Sequence, residues 1–396
     1  MKDLIIAINS GSSSLKFQIY QFPEEKLVVK GLFERIGLSE AMDLTYSLAD
    51  KKSSHLVIGT THEDAVRFLL RFLIKQHIVS DLSEITGVGH RVAHGGEFFP
   101  GSCLIDSDVL EKIKSLSHLA PLHNPINIMG IEAFQKNLPN CPQAAVFDTS
   151  FHQTMPEENY VYPLPYTLYK EEGIRRFGFH GTSHQYVATE ASKTLGKKIE
   201  ELKIVSCHLG NGASICAIKE GRSVMTSMGF TPLAGLMMGT RCGDIDPSIL
   251  TYLSREKHMS IEEIEKMMNQ DSGFKGVSLI SSDTRDVEEA YKKGEPQAKL
   301  AMNMFCGRVK QTIGAYAAEL GGIDLLIFTA GIGENSALIR HLSCEGLTFL
   351  GITIDPEKNQ QNHSIINQEA GQAVVMVVPT NEELMIVRET NQLIEQ

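Results

Sequence analysis

A turn rich in hydrogen-bond donors lies near the start of the chain, in the segment Asn9-Ser10-Gly11-Ser12-Ser13-Ser14-Leu15-Lys16. The apolar residues 4–8 precede it and the alternating residues 17–20 follow it, which predicts two strands of a hairpin. We expect a turn longer than an ordinary two-residue connection, with four hydroxyls, backbone N–H groups and one ammonium. This cluster suits an anion with several oxygens, such as a phosphate chain. A solvated serine loop is the alternative, because the G-x-x-x-x-G-K-[ST] spacing of a Walker loop is absent.

The same arrangement occurs a second time, about half a chain later. The apolar residues 204–208 are followed by Leu209-Gly210-Asn211-Gly212-Ala213-Ser214 and then by a second apolar run, residues 215–218. In each copy the second strand leads through another turn into a third apolar strand. Two such openings predict a duplicated α/β domain. If the two copies face each other, their turns can hold one phosphate chain, so we expect a nucleotide cleft between the domains.

Composition agrees with two folded domains and narrows the class of partner. The 396 residues are 42% hydrophobic and 21% charged, which is ordinary for a globular protein. The formal net charge of -11 argues against nucleic acid or an anionic membrane as a partner, so an anionic substrate needs a local cationic site. Seven cysteines without a C-x-x-C pair indicate a reducing compartment. No apolar run approaches the ~20 residues that span a bilayer, and we expect a cytoplasmic protein.

In the first half, two candidate functional side chains follow predicted strands. Arg91 comes shortly after the apolar residues 85–89, and Asp148 comes directly after residues 143–147. Because the carboxyl ends of strands face the ligand crevice in open α/β sheets, both side chains are candidates for that crevice. The alternatives are a solvated loop arginine and an aspartate that only caps the next element.

In the second half, two loops carry side chains that could reach an anion. His180 lies in a glycine-containing loop beside aromatic residues, where its ring could donate to a ligand oxygen, and a structural histidine is the competing interpretation. Arg241 lies in a long loop of apolar residues and glycines, and packed loops of this length are more often functional than structural. Residues 331–335 follow a predicted buried strand, and their glycines permit close approach of a nucleotide at a helix start. Asp283 and Asp286 precede a long helix, for which capping is a sufficient role.

Taken together, the motifs of both halves resemble the acetate kinase family over the whole chain. The segments that carry the resemblance are residues 9–16, His90-Arg91-Val92, Phe147-Asp148-Thr149, Phe179-His180-Gly181-Thr182-Ser183-His184, His208-Leu209-Gly210-Asn211-Gly212, Gly239-Thr240-Arg241, Gly331-Ile332-Gly333-Glu334-Asn335 and Thr380-Asn381-Glu382-Glu383. The resemblance implies the duplicated actin, hexokinase and Hsp70-like (ribonuclease H-like) fold. It also implies an ATP:acetate phosphotransferase that reversibly makes acetyl phosphate and ADP with Mg2+, or with Mn2+ in its place. A homodimer and a place in acetyl-CoA biosynthesis are implied in the same way.

The duplication and the resemblance together give the expected domain boundaries. Residues 1–150 form the N-terminal actin-like domain, and the C-terminal helix 384–396 packs back on it. Residues 151–383 form the C-terminal actin-like domain, which binds the nucleotide. The proline-rich residues 162–166 mark the passage toward this second domain.

The family's functional residues map onto matching positions of this chain. The catalytic set corresponds to Asp148, His180 and Arg241, in which the histidine and the arginine stabilise the transition state. The carboxylate-binding arginine and the apolar acyl pocket correspond to Arg91, Ala93, Leu122, Phe179 and Pro232. The ATP-binding residues correspond to Lys16, His208, Leu209, Gly210, Asn211, Gly212, Asp283, Thr284, Arg285, Gly331, Ile332, Gly333, Glu334 and Asn335. The magnesium ligands correspond to Asn9 and one glutamate of the Glu382-Glu383 pair, of which we favour Glu382.

The chemistry of carboxylate phosphorylation bears on the role of Asp148. The nucleophile is already ionised at neutral pH and the electrophile is a polyanion, so the main task is to bring negative charges together in line. Arginines, a histidine and magnesium supply the opposing charge and donors. Because no proton has to be removed, we expect Asp148 to orient a magnesium-bound water or an arginine rather than to act mainly as a base.

Ala93 departs from the family pattern, because many acetate kinases have valine at this place. Losing two methyl groups leaves room for about one more methylene, worth roughly 1 kcal/mol of apolar transfer, and related propionate kinases have alanine here. Propionate kinase is therefore the alternative, unless neighbouring side chains close the gap. A nucleotide-dependent switch or filament protein of the same superfold is a further alternative. The cluster of Arg91, His180 and Arg241 argues against it, since a pure ATP switch needs no second anion site.

Overall fold

The computed structural model describes residues 3–368 and 372–396. In these ranges the strands are β1 (Asp3–Gly11), β2 (Ser14–Phe22), β3 (Lys26–Glu34), β4 (Ala41–Leu48), β5 (Lys51–Ile58), β6 (Ile85–Val92), β7 (Cys103–Leu104), β8 (Gln143–Phe147), β9 (Lys203–Leu209), β10 (Ala213–Lys219), β11 (Arg222–Thr226), β12 (Leu325–Thr329) and β13 (Val374–Val377). The helices are α1 (His62–Lys75), α2 (Ser107–Ser115), α3 (Asn124–Asn137), α4 (Glu157–Tyr160), α5 (Tyr166–Glu172), α6 (Gly181–Leu195), α7 (Ser248–Glu256), α8 (Ile261–Gln270), α9 (Gly273–Ser278), α10 (Thr284–Lys293), α11 (Pro296–Leu320), α12 (Ala330–Asn335), α13 (Ala337–Cys344), α14 (Pro356–Gln360) and α15 (Glu382–Ile394). Within the same ranges, no helix combines the length and the apolar character needed to cross a membrane.

The chain divides into two compact units. The first unit runs to Phe151 and also includes Asn381–Gln396, and the second unit is His152–Thr380. Helix α15 therefore belongs to the first unit. It begins two residues before the predicted start at 384, because the Asn381 side chain caps it by accepting a hydrogen bond from the backbone N–H of Leu384 (3.0 Å).

The first unit is built on a mixed sheet with the strand order β5-β4-β3-β2-β1-β6-β8-β7. Strands β1 to β5 form an antiparallel meander, whereas β1, β6 and β8 run parallel. On β1, Leu4, Ile6 and Ile8 pack into the core beneath α1 and α3, and Ile5 and Ala7 pack against α15. A strand that is buried on both faces is apolar at every position, which explains the unbroken apolar run near the start of the chain.

Gly89 on β6 allows α15 to approach this sheet closely. A β-carbon added at Gly89 would lie 2.2 Å from Thr390 Oγ1 and 2.6 Å from Ile386 Cγ2. A larger residue would therefore force the helix away from the sheet. This packing against β1, β6 and β8 holds the first turn of α15, with its two glutamates, in one place relative to the strands.

The second unit contains a sheet with the strand order β11-β10-β9-β12-β13, in which β9, β12 and β13 are parallel. Alternate residues of β9 face different helices. Val205, Cys207 and Leu209 lie in the core with α11, whereas Ser206 and His208 hydrogen bond to side chains of α6. One face of this strand is thus apolar and the other carries polar groups that take part in the site described below.

The central strands of the two sheets share one order and one set of directions. The order β3-β2-β1-β6-β8 of the first unit corresponds to β11-β10-β9-β12-β13 of the second. In each case two consecutive antiparallel hairpins are followed by two parallel strands. This repeated topology agrees with the duplication that the two sequence copies predict.

The first hairpin is tighter than the sequence predicts. Strands β1 and β2 pair to the last residue of β1, so that Ser12-Ser13 alone forms the turn. The expectation of a longer turn is wrong, because polar side chains do not prevent the backbone from continuing its ladder of hydrogen bonds. Asn9 and Lys16 consequently lie directly opposite each other on the two strands. The second hairpin keeps a three-residue turn, Gly210-Asn211-Gly212.

Candidate active site

Arg91 and Asp148 lie together because β6 and β8 are parallel neighbours whose carboxyl ends meet. The row of carboxyl ends of these parallel strands is called the edge of the sheet below. Arg91 is in register with Val146, and Asp148 directly follows β8. The carboxylate accepts hydrogen bonds from Arg91 Nε (2.9 and 3.2 Å) and from Nη2 (2.5 Å). Asp148 is only 2% exposed, and its charge raises the pKa of Arg91. The paired hydrogen bonds fix the orientation of the guanidinium as well as its charge.

Asn9 and Glu382 add oxygen atoms to this edge. The Asn9 side-chain oxygen accepts a hydrogen bond from Arg91 Nη1 (3.2 Å). Glu382 makes no hydrogen bond or ion pair with any residue that the structure describes. Burial raises the pKa of Glu382 to about 7, the charge of Arg91 opposes this rise, and the charge of Asp148 adds to it. Glu382 is half-buried, and a carboxylate without a protein partner is a suitable ligand for a hard cation.

Glu383, the second acid of the pair, is occupied by protein groups. It forms an ion pair with Lys16 and accepts a hydrogen bond from Gln18 Nε2 (3.2 Å). The Tyr20 hydroxyl donates to Gln18 Oε1 (2.7 Å), which holds the amide in this orientation. Lys16 therefore belongs to the first unit and neutralises Glu383, which leaves Glu382 as the acid available to a ligand. The alternating side chains of β2 could have indicated this network, but their partner on α15 could not be read from the sequence.

The residues predicted to line the acyl pocket are divided between the two units. Ala93 is buried in the first unit, where a side chain of α3 accepts a hydrogen bond from its backbone N–H. Leu122 precedes α3 and is 75% exposed. Phe179 lies in the core of the second unit. Pro232, also in that unit, accepts a hydrogen bond from Arg241 Nη1 through its carbonyl oxygen (3.2 Å).

His180 directly precedes α6 in a left-handed backbone conformation (φ 57°), which residues other than glycine rarely adopt. Its Nδ1 lies 2.8 Å from Ser214 Oγ, and its ring stacks on His208 with the centroids 4.1 Å apart. The other ring nitrogen, Nε2, faces the turn between β9 and β10. A β-carbon at Gly212 would lie 3.5 Å from His180 Nε2 and 3.6 Å from Arg241 Nη1. The histidine and the arginine therefore approach the same turn.

His208 and Arg241 are held at this turn in different ways. The Ser183 hydroxyl lies 2.8 Å from His208 Nδ1 and 2.7 Å from Thr380 Oγ1. Arg241 has no carboxylate partner among the described residues, and burial lowers the pKa of its guanidinium. An arginine remains protonated at neutral pH even so. A partly buried cation without a counter-charge favours an anionic ligand.

A cavity of about 780 Å³ opens beside this turn in the second unit. The predicted ATP-binding residues that line it are Gly210, Asn211, Asp283, Thr284, Arg285, Gly331, Ile332 and Asn335. It is also lined by Gly239, Ser282, Glu288 and Ser336, which the sequence did not single out as site residues. The volume lies within the range of about 300–1,000 Å³ that is usual for ligand pockets. The chain segments predicted to bind one nucleotide thus form one cavity.

Three of the missed residues had a signal in the sequence. Glu288 lies one helical turn after Thr284 on α10, on the same face. Ser336 caps α13, and its hydroxyl donates to Glu288 Oε2 (2.6 Å). Gly239 opens the Gly239-Thr240-Arg241 motif. A β-carbon at Gly239 would lie 2.0 Å from Asn211 Oδ1, so only glycine lets the two loops approach.

The remaining predicted ATP-binding residues are not part of the cavity lining in the described structure. Lys16 belongs to the first unit, and His208, Leu209 and Gly212 belong to β9 and the turn after it. The carbonyl oxygens of Gly333 and Glu334 accept hydrogen bonds from the buried Arg340 (2.9 and 3.0 Å). These contacts hold the short helix α12, which presents Gly331 and Asn335 to the cavity. Nothing in the sequence pattern indicated Arg340.

The repeated sheet, the fixed arginine of the first unit and the glycine-lined cavity of the second define a class of protein. One arginine in a fixed orientation lies at the carboxyl edge of one sheet, and a cavity of a volume usual for ligands lies at the corresponding edge of the other. This combination defines a nucleotide-dependent phosphotransferase with an anionic second substrate.

Comparisons with known proteins identify the family. The model of the acetokinase family matches residues 4–388. Acetate kinase 1 of Listeria monocytogenes serotype 4b (strain F2365) is 53% identical over 99% of this chain and 98% of its own length. Propionate kinase PduW of Salmonella typhimurium (strain LT2) is 51% identical over 97% of this chain and 95% of its own length. The crystal structure of Porphyromonas gingivalis acetate kinase superposes with a TM-score of 0.94, at 41% identity and 99% coverage of both chains.

The chain belongs to the acetokinase family. Its fold is the duplicated actin/hexokinase-like fold of the family, and it is a phosphotransferase that acts on a carboxyl group. The resemblance stated from the sequence motifs is confirmed, as is the expected fold class.

Proposed function

We propose that this chain catalyses the reversible transfer of the γ-phosphoryl group of ATP to acetate, with acetyl phosphate and ADP as products. The observation that carries this proposal is the pair of the half-buried Arg91 and the buried Asp148, which provides an oriented cation in addition to the nucleotide cavity. A protein that only switches with ATP has no use for a second anion site. The high identity to acetate kinases over almost the full chain supports acetate as the acceptor.

Arg91 is proposed to bind the carboxylate of the acceptor. Nε and Nη2 are occupied by Asp148, and Nη1 reaches Asn9, so the guanidinium presents its remaining N–H groups in one fixed direction. The acceptor carboxylate is ionised at neutral pH and needs no general base. The role we assign to Asp148 is therefore to orient Arg91, which is one of the two roles expected from the chemistry.

The second unit is proposed to bind ATP and to stabilise the charge on the transferred phosphoryl group. His180 and Arg241 approach the turn that borders the cavity, so their N–H groups can donate to phosphoryl oxygens. The ATP-binding set is proposed as predicted: Lys16, His208 to Gly212, Asp283 to Arg285, and Gly331 to Asn335. The lining of the cavity by eight of these residues supports the assignment.

Asn9 and Glu382 are the residues that would hold Mg2+. Both present oxygen atoms, which this ion prefers, and Glu382 is a half-buried carboxylate with no protein partner in the described part of the chain. When bound, the ion would neutralise part of the phosphate charge. Glu383 is less suitable, because Lys16 and Gln18 already occupy it.

The domain organisation, assembly and location are proposed on similar grounds. The shared strand order supports two duplicated domains with boundaries near residues 150 and 383. Exposed apolar side chains on the second unit, among them Leu164, Ile249 and Tyr252, support a homodimer. All seven cysteines are free, which supports a reducing cytoplasm.

Propionate kinase is a second candidate because of Ala93. This residue follows Arg91 by two positions on the same chain segment, and it is smaller than the valine of many acetate kinases. The likeness to propionate kinase PduW is nearly as strong as the likeness to acetate kinases.

The test is acyl-phosphate formation by the purified protein with Mg2+ and ATP, trapped with hydroxylamine. Values of kcat/KM are compared for acetate, propionate and butyrate. Acetate ahead of the other acids supports the proposal. Propionate ahead would favour the second candidate, and no product with any acid would exclude both.

A further inference from the structure

The hydroxyl of Ser214 lies between two histidine rings in the buried interior of the second unit. Its Oγ is 2.8 Å from His180 Nδ1 and 2.8 Å from His184 Nε2. The other nitrogen of His184, Nδ1, is 2.9 Å from Ser206 Oγ. Ser206, His184 and Ser214 are all fully buried. The four side chains therefore form one continuous chain of hydrogen bonds that ends at the ring of His180.

The proton count restricts the direction of this chain. A serine hydroxyl has one proton, so Ser214 can donate to one histidine and must accept from the other. His184 is neutral, because burial lowers its pKa well below the usual value, with smaller contributions from the neighbouring His152 and His208. A neutral imidazole also carries one proton. Two self-consistent directions remain.

In the first direction every proton finds an acceptor. Ser206 donates to His184 Nδ1, His184 Nε2–H donates to Ser214, and Ser214 donates to His180 Nδ1. In the opposite direction His184 Nδ1–H donates to Ser206, and the proton of Ser206 then has no acceptor among the described residues. Leaving a buried donor unsatisfied costs free energy, so the first direction is favoured.

The direction of the chain decides what His180 presents to a ligand. If Ser214 donates to Nδ1, a neutral His180 carries its proton on Nε2, the nitrogen that faces Gly212 and Arg241. If the direction is reversed, a neutral His180 presents a lone pair there. A lone pair would repel a phosphoryl oxygen, whereas an N–H would bind it.

We propose that Ser206, His184 and Ser214 are positioning residues that hold His180 in the tautomer with its proton on Nε2, ready to donate to the transferred phosphoryl group. The identity of the ligand rests on the proposed function, but the tautomer of His180 does not. The groups near the His180 ring include the neutral His184 through Ser214, the stacked ring of His208 and the guanidinium of Arg241.

The tautomer is measured by NMR on protein labelled with [15N]histidine. The signals of His180 are identified by their loss in His180→Gln. We expect the wild type to show the Nε2–H pattern for His180, and Ser206→Ala to show a mixture of both tautomers. A wild-type Nδ1–H pattern would overturn the proposal, whatever the activity of the enzyme.

Kinetics provide the second readout. Ser214→Ala is expected to lower kcat about 10- to 100-fold and Ser206→Ala about 3- to 10-fold, with KM for both substrates changed less than about twofold. Ser223→Ala is the matched control, because Ser223 also makes a buried hydrogen bond to a histidine, His152 Nδ1 (2.8 Å), but does not contact His180. If the control lost as much kcat as Ser214→Ala, the effect of Ser214→Ala would come from general packing and not from the tautomer of His180.

The two readouts distinguish failure of this proposal from failure of the proposed function. The hydrogen-bonded chain of Ser206, His184, Ser214 and His180 is here called the relay. Loss of the Nε2–H pattern in Ser206→Ala, in a protein without acyl-phosphate formation, would support the relay and exclude the kinase. Normal kcat in folded Ser206→Ala and Ser214→Ala would exclude the relay and leave the kinase intact.

Discussion

The first unit pairs opposite charges at the edge of its sheet, whereas the second unit surrounds its turn with histidines, hydroxyls, glycine backbone and one arginine that has no carboxylate partner among the described residues. At the first edge an arginine and an aspartate are paired, and Lys16 neutralises Glu383. Around the second turn stand histidines, serines and glycine backbone, and Arg241 has no counter-charge in the described residues. The two edges belong to sheets with the same central strand order. The difference therefore comes from the side chains and not from the topology.

The contrast follows from what each edge is proposed to bind. A short-chain carboxylate has one charge and two oxygens, so one cation held in a fixed orientation is enough to bind it. A nucleotide polyphosphate has many oxygens spread over several ångströms, and many weaker donors match it better. Each of the following experiments changes one side of this contrast.

The largest expected effect is at the paired edge of the first unit. Asp148→Asn keeps the size of the side chain but places N–H groups against those of Arg91, so the guanidinium loses its orientation. We expect kcat/KM for acetate to fall about 1,000-fold in steady-state assays. Asp43→Asn is the matched control, because Asp43 also pairs with an arginine but belongs to no proposed site. It lies 3.8 Å from Arg35 with both side chains exposed, and we expect less than about a threefold effect on acetate. Near-normal turnover of Asp148→Asn would exclude any charged role for this carboxylate.

The next largest effect is on stability at acid pH, and it comes from His90, a buried histidine of the first unit. His90 precedes Arg91 on β6, is buried, and hydrogen bonds to Gln143 (2.8 Å). Burial lowers the pKa of His90 to about 4, whereas the unfolded chain titrates near 6.5. Below pH 6.5 the unfolded chain therefore binds a proton that the folded chain does not, and the free energy of unfolding falls as the pH drops toward 4.

His90→Gln should remove this contribution, since the amide can still reach Gln143. We expect the loss of stability between pH 7 and pH 4.5, measured by urea unfolding, to be about 2 kcal/mol smaller than in the wild type. His258→Asn, at an exposed histidine in the left-handed conformation, is the control and should leave the pH dependence unchanged. Equal slopes for all three proteins would show that His90 does not set the acid sensitivity.

The nucleotide cavity of the second unit is expected to respond to steric change rather than to charge. Gly239→Ala places a β-carbon 2.0 Å from Asn211 Oδ1 and 3.0 Å from the backbone oxygen of Ser282, so the lining must shift. We expect KM for ATP to rise about tenfold while KM for acetate changes little. Gly307→Ala is the control, because Gly307 lies on α11 of the same unit, does not line the cavity, and an added β-carbon there meets no atom of a neighbouring element within 4 Å. If both variants behaved alike, the close approach at Gly239 would have no part in ATP binding.

The smallest expected effect is on acceptor choice. Ala93→Val adds two methyl groups beside the charged edge and should disfavour the larger acid. We expect the ratio of kcat/KM for acetate over propionate to rise about fivefold, which corresponds to roughly 1 kcal/mol. The ratio is measured in one protein preparation, so it is independent of the active fraction. An unchanged ratio would mean that neighbouring side chains close the space at Ala93.

The fold was largely predictable because its signals are local. Strands β1 and β9 are apolar runs bounded by polar turns, and their repetition indicates the duplication before any contact is known. The length of the first turn was not predictable, because pairing continues through polar residues up to the last residue of β1. The start of α15 was missed by two residues, since the capping side chain of Asn381 lies before an already acidic first turn.

The candidate site was predictable in its residue types and less so in its connections. The motifs named Arg91, Asp148, His180 and most of the cavity lining. They did not reveal that Glu383 is occupied by Lys16, nor that a buried serine lies behind His180.

The sequence by itself determined the repeated strand pattern, the chemical groups available and the family to which the chain belongs. Only the tertiary structure decided which glutamate is left without a protein partner, which side chains orient Arg91 and His180, and why Gly239 must be glycine. The physical reason is distance along the chain. Gln18 and Glu383 are 365 positions apart and yet hydrogen bonded, and no periodicity or local propensity encodes such a contact. The contact forms only when α15, which carries Glu383, has packed on the sheet that contains β2.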